Sequence, residues 1–184
     1  MSIIIDGTGS ISGVSSTGLS SAQTVTQSAI ATGVAGTGPV VSVYGNATQT
    51  ISVNTNVLLN FNTKLVDTAS RFNATGSTVG GIPAYAFMPN VAGYYQISFN
   101  VQAQTTSATV AILPIMYGNG VFLTEAIGSS ANGSAFNYPW AQITYLVYLN
   151  GTTDYVQGYG QATGASGTQV ILAGIFQAVL VRAA

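Results

Sequence analysis

The run "YYQISFNVQA", residues 94 to 103, alternates without a break. Tyr95, Ile97, Phe99, Val101 and Ala103 fall on one side, and Tyr94, Gln96, Ser98, Asn100 and Gln102 on the other. Successive side chains of a strand point to opposite faces, so this is a β-strand with one dry face and one polar face. Other stretches share the period but not the polar face. "ITYLVYL" (143 to 149) and "VILAGIFQAVLV" (170 to 181) are apolar at nearly every position. Strands of that kind lie between two packed layers. In a two-layer sandwich the outer face of a sheet normally meets water, so the extra apolar face predicts a further partner, most simply another copy of the chain.

From Val40 to the end the pattern predicts strands and turns only. "PVVSVYG" and "TISVN" read as strands, followed by a turn at Asn54-Thr55-Asn56 and a strand from Val57 to Phe61. "DTASRFNATGSTVGGIP" reads as a polar loop, and "AYAFMP" as a short strand stopped by Pro89. "ATVAILPIMYGNGVFLTEAIG" predicts a hairpin, because Asn119-Gly120 supplies the positive φ that tight hairpin turns need. Pro114 inside its first arm predicts a sheet edge or a bulge. Two more strands meet near Asn150-Gly151, and "TQVILAGIFQAVLVR" is the last. The total is about eight to ten short strands at the spacing of a sandwich, with no helical period of useful length. At the start of the alternating strand, Pro89 ends what precedes it, Gly93 is expected to permit a tight corner, and Tyr94 and Tyr95 point to opposite faces.

Residues 1 to 38 differ in composition, being dominated by Ser, Thr, Gly and Ala. Such residues do not bury enough surface to make a core alone. They read either as a linker or as an arm that becomes ordered on a partner. Ile3, Ile4 and Ile5 favour the arm: three exposed isoleucines would otherwise invite β-aggregation. The division expected is an anchoring arm, 1–38, and a β-domain, 39–184.

Composition removes whole classes of function. Of 184 residues, 4% are charged, the net charge is −1, and there is no histidine or cysteine. No basic face exists for nucleic acid. No disulfide framework is possible. The usual general base, thiolate nucleophile and transition-metal ligands are missing. The four acids, Asp6, Asp67, Glu125 and Asp154, are scattered through the sequence. A hard cation wants about six oxygen ligands, so no metal or other cofactor is expected. Lys64, Asp67 and Arg71 are close enough in sequence to pair. The N-terminus lacks the basic stretch of a signal peptide, and the longest apolar run contains Gln177 and is too short to span a bilayer as a helix. An outer-membrane barrel would need a polar interior, which strands apolar on both faces do not provide.

The order of these motifs resembles a known family. An early strand is followed by "VLLNFNTKLVDT", "SRFN", "YAFMPNVAGYYQISFNV", a hairpin with "YGNGV", a strand ending in "LNGTTDYV", and a last strand with "LAGIFQAVL". This is similar to the C1q/TNF-like trimeric jelly-roll domain of complement globular heads and the tumour-necrosis-factor superfamily. It is most similar to the versions in bacteriophage virion proteins, whose N-terminal segments "IIIDGTGSISG" also resembles. The resemblance covers residues 40 to 182. It implies an antiparallel β-sandwich that assembles as a homotrimer. It also implies that Tyr94, Tyr95, Tyr145, Val147, Ile175 and Phe176 lie at or near the contact between copies. Calcium, which many members bind through clustered carboxylates, is not carried over, because the acids are not clustered.

The function expected is therefore a non-enzymatic virion structural protein on the virion surface, made in the host cytoplasm. Its partners would be further copies of itself and, through the arm, other virion proteins. Capsid decoration is one form. The other is a tail-fibre tip that binds a host saccharide, for which Tyr138 and Trp140 in "SSANGSAFNYPW" would be the contacts. A long fibre needs heptads or repeats for its shaft, and the chain has neither, which favours decoration. A secreted signalling ligand fits poorly with so few charges for receptor steering.

Overall fold

The computed structural model describes residues 4, 5, 11, 12, 38–104, 110–128, 130, 131, 140–164 and 168–184. The chain divides into two units, Met1–Ala31 and Thr32–Ala184. In the first, strands β1 (Ile4–Ile5) and β2 (Ile11–Ser12) pair antiparallel, Ile5 opposite Ile11. Ile3 and the rest of the expected arm up to residue 37 lie outside the described residues.

The described part of the second unit is built from strands and loops. In chain order the strands are β3 (Val40–Tyr44), β4 (Thr48–Ser52), β5 (Val57–Leu58), β6 (Thr63–Asp67), β7 (Ala86–Phe87) and β8 (Gly93–Gln104). They continue with β9 (Val110–Gly118), β10 (Val121–Glu125), β11 (Ser130–Ala131), β12 (Trp140–Leu149), β13 (Val156–Gly164) and β14 (Thr168–Ala183). One sheet has the order β12-β8-β14-β3-β6, with β4 on β14 beyond β3. The other has the order β10-β9-β13-β5, with β7 also on β13 and β11 on β9. All pairings are antiparallel. The chain crosses between sheets from β4 to β5, β5 to β6, β6 to β7, β7 to β8, β8 to β9, β11 to β12, β12 to β13 and β13 to β14. Those repeated crossings make the double-sheet jelly roll, as the sequence motifs imply.

The core lies where the alternation puts it. Tyr95, Ile97, Phe99 and Val101 of β8 are sealed between the sheets, as are Ile171, Phe176, Ala178 and Leu180 of β14. Phe176 is the centre of an aromatic cluster, with ring centroids 5.4 Å from Phe61, 5.2 Å from Phe72 and 6.1 Å from Phe99. Edge-to-face and offset rings gain from their quadrupoles as well as from burial.

Several local expectations need correcting. Pro114 is not on an edge strand, since β9 has neighbours on both sides. Its carbonyl accepts the Ala126 N–H at 3.1 Å, beyond the end of β10. The proline nitrogen thus faces a stretch where no ladder bond is asked of it. Gly93 is not a corner but the first residue of β8, without positive φ. A side chain there would strike the Arg182 carbonyl and Leu180, so the glycine permits the close approach of β14. Residues 63–67 form strand β6 although "TKLVD" lacks an apolar face. The strand expected from Val57 to Phe61 is only two residues long; Leu59 and Phe61 instead turn into the core. The hairpin turn is as expected, with φ of 52° at Asn119 and 76° at Gly120.

Because Phe176 contacts three other rings, Phe176→Ala should destabilise the protein by about 3–5 kcal/mol. Urea unfolding followed by circular dichroism measures this; a loss below about 1 kcal/mol would mean the cluster collapses around the gap.

Candidate self-association surface

The outer face of the six-stranded sheet that contains β8 and β14 follows from the register. Gln102 of β8 stands opposite Trp140 of β12 and Leu172 of β14. Ser98 stands opposite Thr144 and Gln177, and Gln177 opposite Ser42. Gln96 stands opposite Leu146 and Val179, and Val179 opposite Val40. Tyr94 stands opposite Tyr148 and Arg182. The face is thus ordered in rows. A belt of hydroxyls and amides crosses its middle, and apolar rows lie toward the end where β8 begins. Tyr94 and Tyr148 meet edge to face at 5.5 Å. Leu146 is 56% exposed and Val179 41%. Tyr94, Tyr148, Val40 and Val181 are exposed with them. On the outward positions of β12, β8, β14 and β3 the one charged side chain is Arg182.

The same face carries an irregularity. The β14–β8 register shifts between Ala173 and Phe176. The Ile175 N–H, displaced from the ladder, donates to Asn100 Oδ1 at 2.7 Å. That bond lets one strand pair with β4 along Thr168–Leu172 and with β3 along Ile175–Val179. Ile175 is turned outward as a result and is 44% exposed.

The residues expected at a contact between copies separate into three groups. Tyr94 and Ile175 are on the outer face. Tyr95 and Phe176 are fully buried in the core of their own chain, which removes them from any contact between copies. Tyr145 and Val147 are half-buried against the core on the inner side of β12. The outward apolar residues of that strand are Leu146 and Tyr148. A strand apolar at every position gives no phase by itself; its register with the alternating β8 supplies one. Of the two residues expected to meet a saccharide, Trp140 is exposed at the start of β12, and Tyr138 lies outside the described residues.

The charged groups form one ion pair among the described residues. Lys64 Nζ lies 2.7 Å from Asp67 Oδ2, the lysine exposed and the carboxylate nearly buried. No three of the described His, Cys, Asp or Glu residues come together, and no described helix is long and apolar enough to cross a membrane. Asp154 accepts from Asn119 Nδ2 and from the Asn150 N–H, both at 2.9 Å, and so ties two turns together.

No family model and no curated protein matches the chain. Among solved structures it is similar to three crystal structures of murine APRIL, at pH 5.0, 8.5 and 8.0. Identities are 10%, 12% and 9%, and TM-scores 0.43, 0.38 and 0.41; each covers 74% of this chain and 98% of that one. The jelly-roll assignment rests on the strand order of the chain itself.

Burial makes two tyrosines titrate unusually. Tyr95 donates its hydroxyl to the Val91 carbonyl at 2.8 Å, and desolvation pushes its pKa from 10.0 to about 12. The folded chain then holds this proton more tightly than the unfolded one. The resulting stabilisation is complete below pH 10 and fades as the pH rises to about 12. Tyr159 shifts in the same direction, through burial first and then through Tyr117 and Tyr155. Thermal unfolding should therefore show a stability loss above pH 10 that is smaller in Tyr95→Phe. An unchanged alkaline limb in that variant would exclude Tyr95 as a source.

Proposed function

We propose that this protein is a non-enzymatic structural protein of a bacteriophage virion, a homotrimeric knob held in place by residues 1–38, and that it decorates the capsid. The observation that carries the reading is the outer face of the sheet that contains β8 and β14. An apolar patch spread over β12, β8, β14 and β3 is unfavourable in water, and patches of this kind mark association surfaces. Another copy of the chain presents a surface of the same chemistry, with Arg182 its one charged side chain. A closed ring of copies covers the patch without open-ended growth. The number three and the virion setting come from the sequence resemblance, which the jelly-roll strand order supports. Attachment through three arms per knob would add modest individual contacts as avidity.

A tail-fibre tip is the second reading, and the exposed indole of Trp140 at the end of the sheet favours it. An exposed aromatic ring offers a stacking platform to a sugar.

Mass photometry at nanomolar concentration should give a trimer. Leu146→Glu with Val179→Glu should leave the circular dichroism spectrum native and release monomers, because the two charges would be desolvated without partners. A stable wild-type monomer would refute the assembly.

Labelled protein should be found on the head by electron microscopy of intact particles. Particles lacking it should adsorb to hosts normally but lose genome sooner on heating. Copies confined to the tail, with adsorption blocked by purified protein and restored by Trp140→Ala, would transfer the assignment to the fibre tip.

A further inference from the structure

Lys64 and Arg71 are two of only three cationic side chains in the chain, and both line one depression of about 460 Å³. The loop between β6 and β7 forms most of its wall. The neighbouring acid offsets the charge of Lys64 but not that of Arg71. Asp67 is nearly buried, and its oxygens accept the Arg71 N–H at 2.8 Å, the Phe72 N–H at 3.2 Å and Lys64 Nζ at 2.7 Å. It is spent on the backbone and on Lys64. The Arg71 guanidinium has no carboxylate partner among the described residues, and its Nε is buried without an acceptor. A guanidinium is always charged, and a buried donor on it that lacks an acceptor costs more than a neutral one. Such an atom calls for a missing acceptor.

The surroundings are built rather than loose. Asn73 is buried; its Nδ2 reaches the carbonyls of Ser77, Ile82 and Pro83, and its Oδ1 accepts from the Thr75 N–H and hydroxyl. Ser70 at φ 54° and Gly80 at φ 57° hold turns that few residues adopt. A long loop without strands that is nonetheless fixed by internal bonds is the kind that carries binding residues. Phe72, Val79 and Ile82 supply apolar wall, which strengthens the field of the Arg71 cation.

We propose that this depression binds an oxyanion, a carboxylate or phosphate group on a small ligand. The Arg71 guanidinium is the principal donor, and Lys64, whose charge Asp67 offsets, adds a second N–H donor. The planar fork of arginine matches both oxyanions, and nothing else in the cavity is as well suited to hold one. This site is separate from the self-association face and does not depend on the virion assignment.

Titration calorimetry of the full chain with inorganic phosphate and with glucuronate tests this, at ionic strength matched with chloride. Saturable binding of at least one probe is expected, with Kd of about 1 mM or tighter. Binding of one probe only identifies which oxyanion the site takes. Arg71→Lys should weaken binding about tenfold or more, since it keeps the charge and loses the fork. Arg71→Met should abolish it, and Lys64→Gln should weaken it while leaving Arg71 in place. Arg71→Lys and Lys64→Gln keep the test decisive should Arg71→Met fail to fold. No saturable binding of either probe beyond chloride would overturn the proposal, as would undiminished affinity in Arg71→Lys and Lys64→Gln together.

Discussion

The pairing of Thr168–Ala183 with Gly93–Gln104 is the interaction on which the rest of the structure depends. These two strands are the longest described, and they sit side by side within one six-stranded sheet. Their register places Phe176 opposite Phe99 and Leu180 opposite Tyr95, so both strands send their large rings and aliphatic chains to the same side. A slip of one residue would exchange the faces of one strand completely. Phe176 would leave its aromatic neighbours, and Gln177 would enter the core. The two register shifts in this ladder, at Ala173/Phe176 and Leu180/Arg182, are therefore part of the fold rather than blemishes in it. The first lets a single strand serve two partners in succession. Its cost in ladder bonding is offset by the bond from the Ile175 N–H to Asn100.

How far this was legible in the sequence depended on contrast between faces. The strand from Gly93 was readable because its two faces differ in polarity at every step. The turn at Asn119-Gly120 was readable because few residues accept its φ values. On 143–149 and 170–181 the contrast vanishes, and with it the phase. Tyr145 and Val147 were expected at a contact between copies and lie on the inner side, whereas Leu146 and Tyr148 point out. Tyr95 and Phe176 were expected there too and are fully buried. Strand β6 escaped notice for a different reason. "TKLVD" has exposed residues at three consecutive positions, and it is held as a strand by its pairing with β3 rather than by an apolar stripe. The oxyanion depression was only half visible. Lys64, Asp67 and Arg71 stood out as near neighbours in sequence, but pairing was the expected outcome. That Asp67 would give one of its oxygens to the Arg71 backbone, and none to its guanidinium, depends on the loop conformation.

A chain with so few charges must brace its turns by other means. Asn150 shows how: its Oδ1 accepts from the N–H groups of Thr152, Thr153 and Asp154, the Asx-type bonding that fixes a turn with a short polar side chain. Asn73 does the same for the loop after β6, and Asn119 accepts from the Tyr155 N–H to join two loops. Amide bonds of this kind are nearly indifferent to salt, whereas exposed ion pairs are screened. Three of the six charged side chains among the described residues sit together. The Lys64–Asp67 pair and the Arg71 guanidinium are gathered around one loop, whereas Glu125, Asp154 and Arg182 stand apart on other elements.

That distribution bears on how copies of the chain would recognise one another. With no charge pattern on the outer face to steer approach or set alignment, specificity must come from shape and hydrogen bonding. The belt formed by Ser42, Ser98, Thr144 and Gln177 meets that need. Apolar rows alone would slide past one another with little change in energy. A belt of donors and acceptors does not, because each misaligned amide is buried unsatisfied, at a cost of about 1–3 kcal/mol. The apolar rows would then supply the driving force and the polar belt the register, the same division of labour that the core strands show on their inner and outer faces.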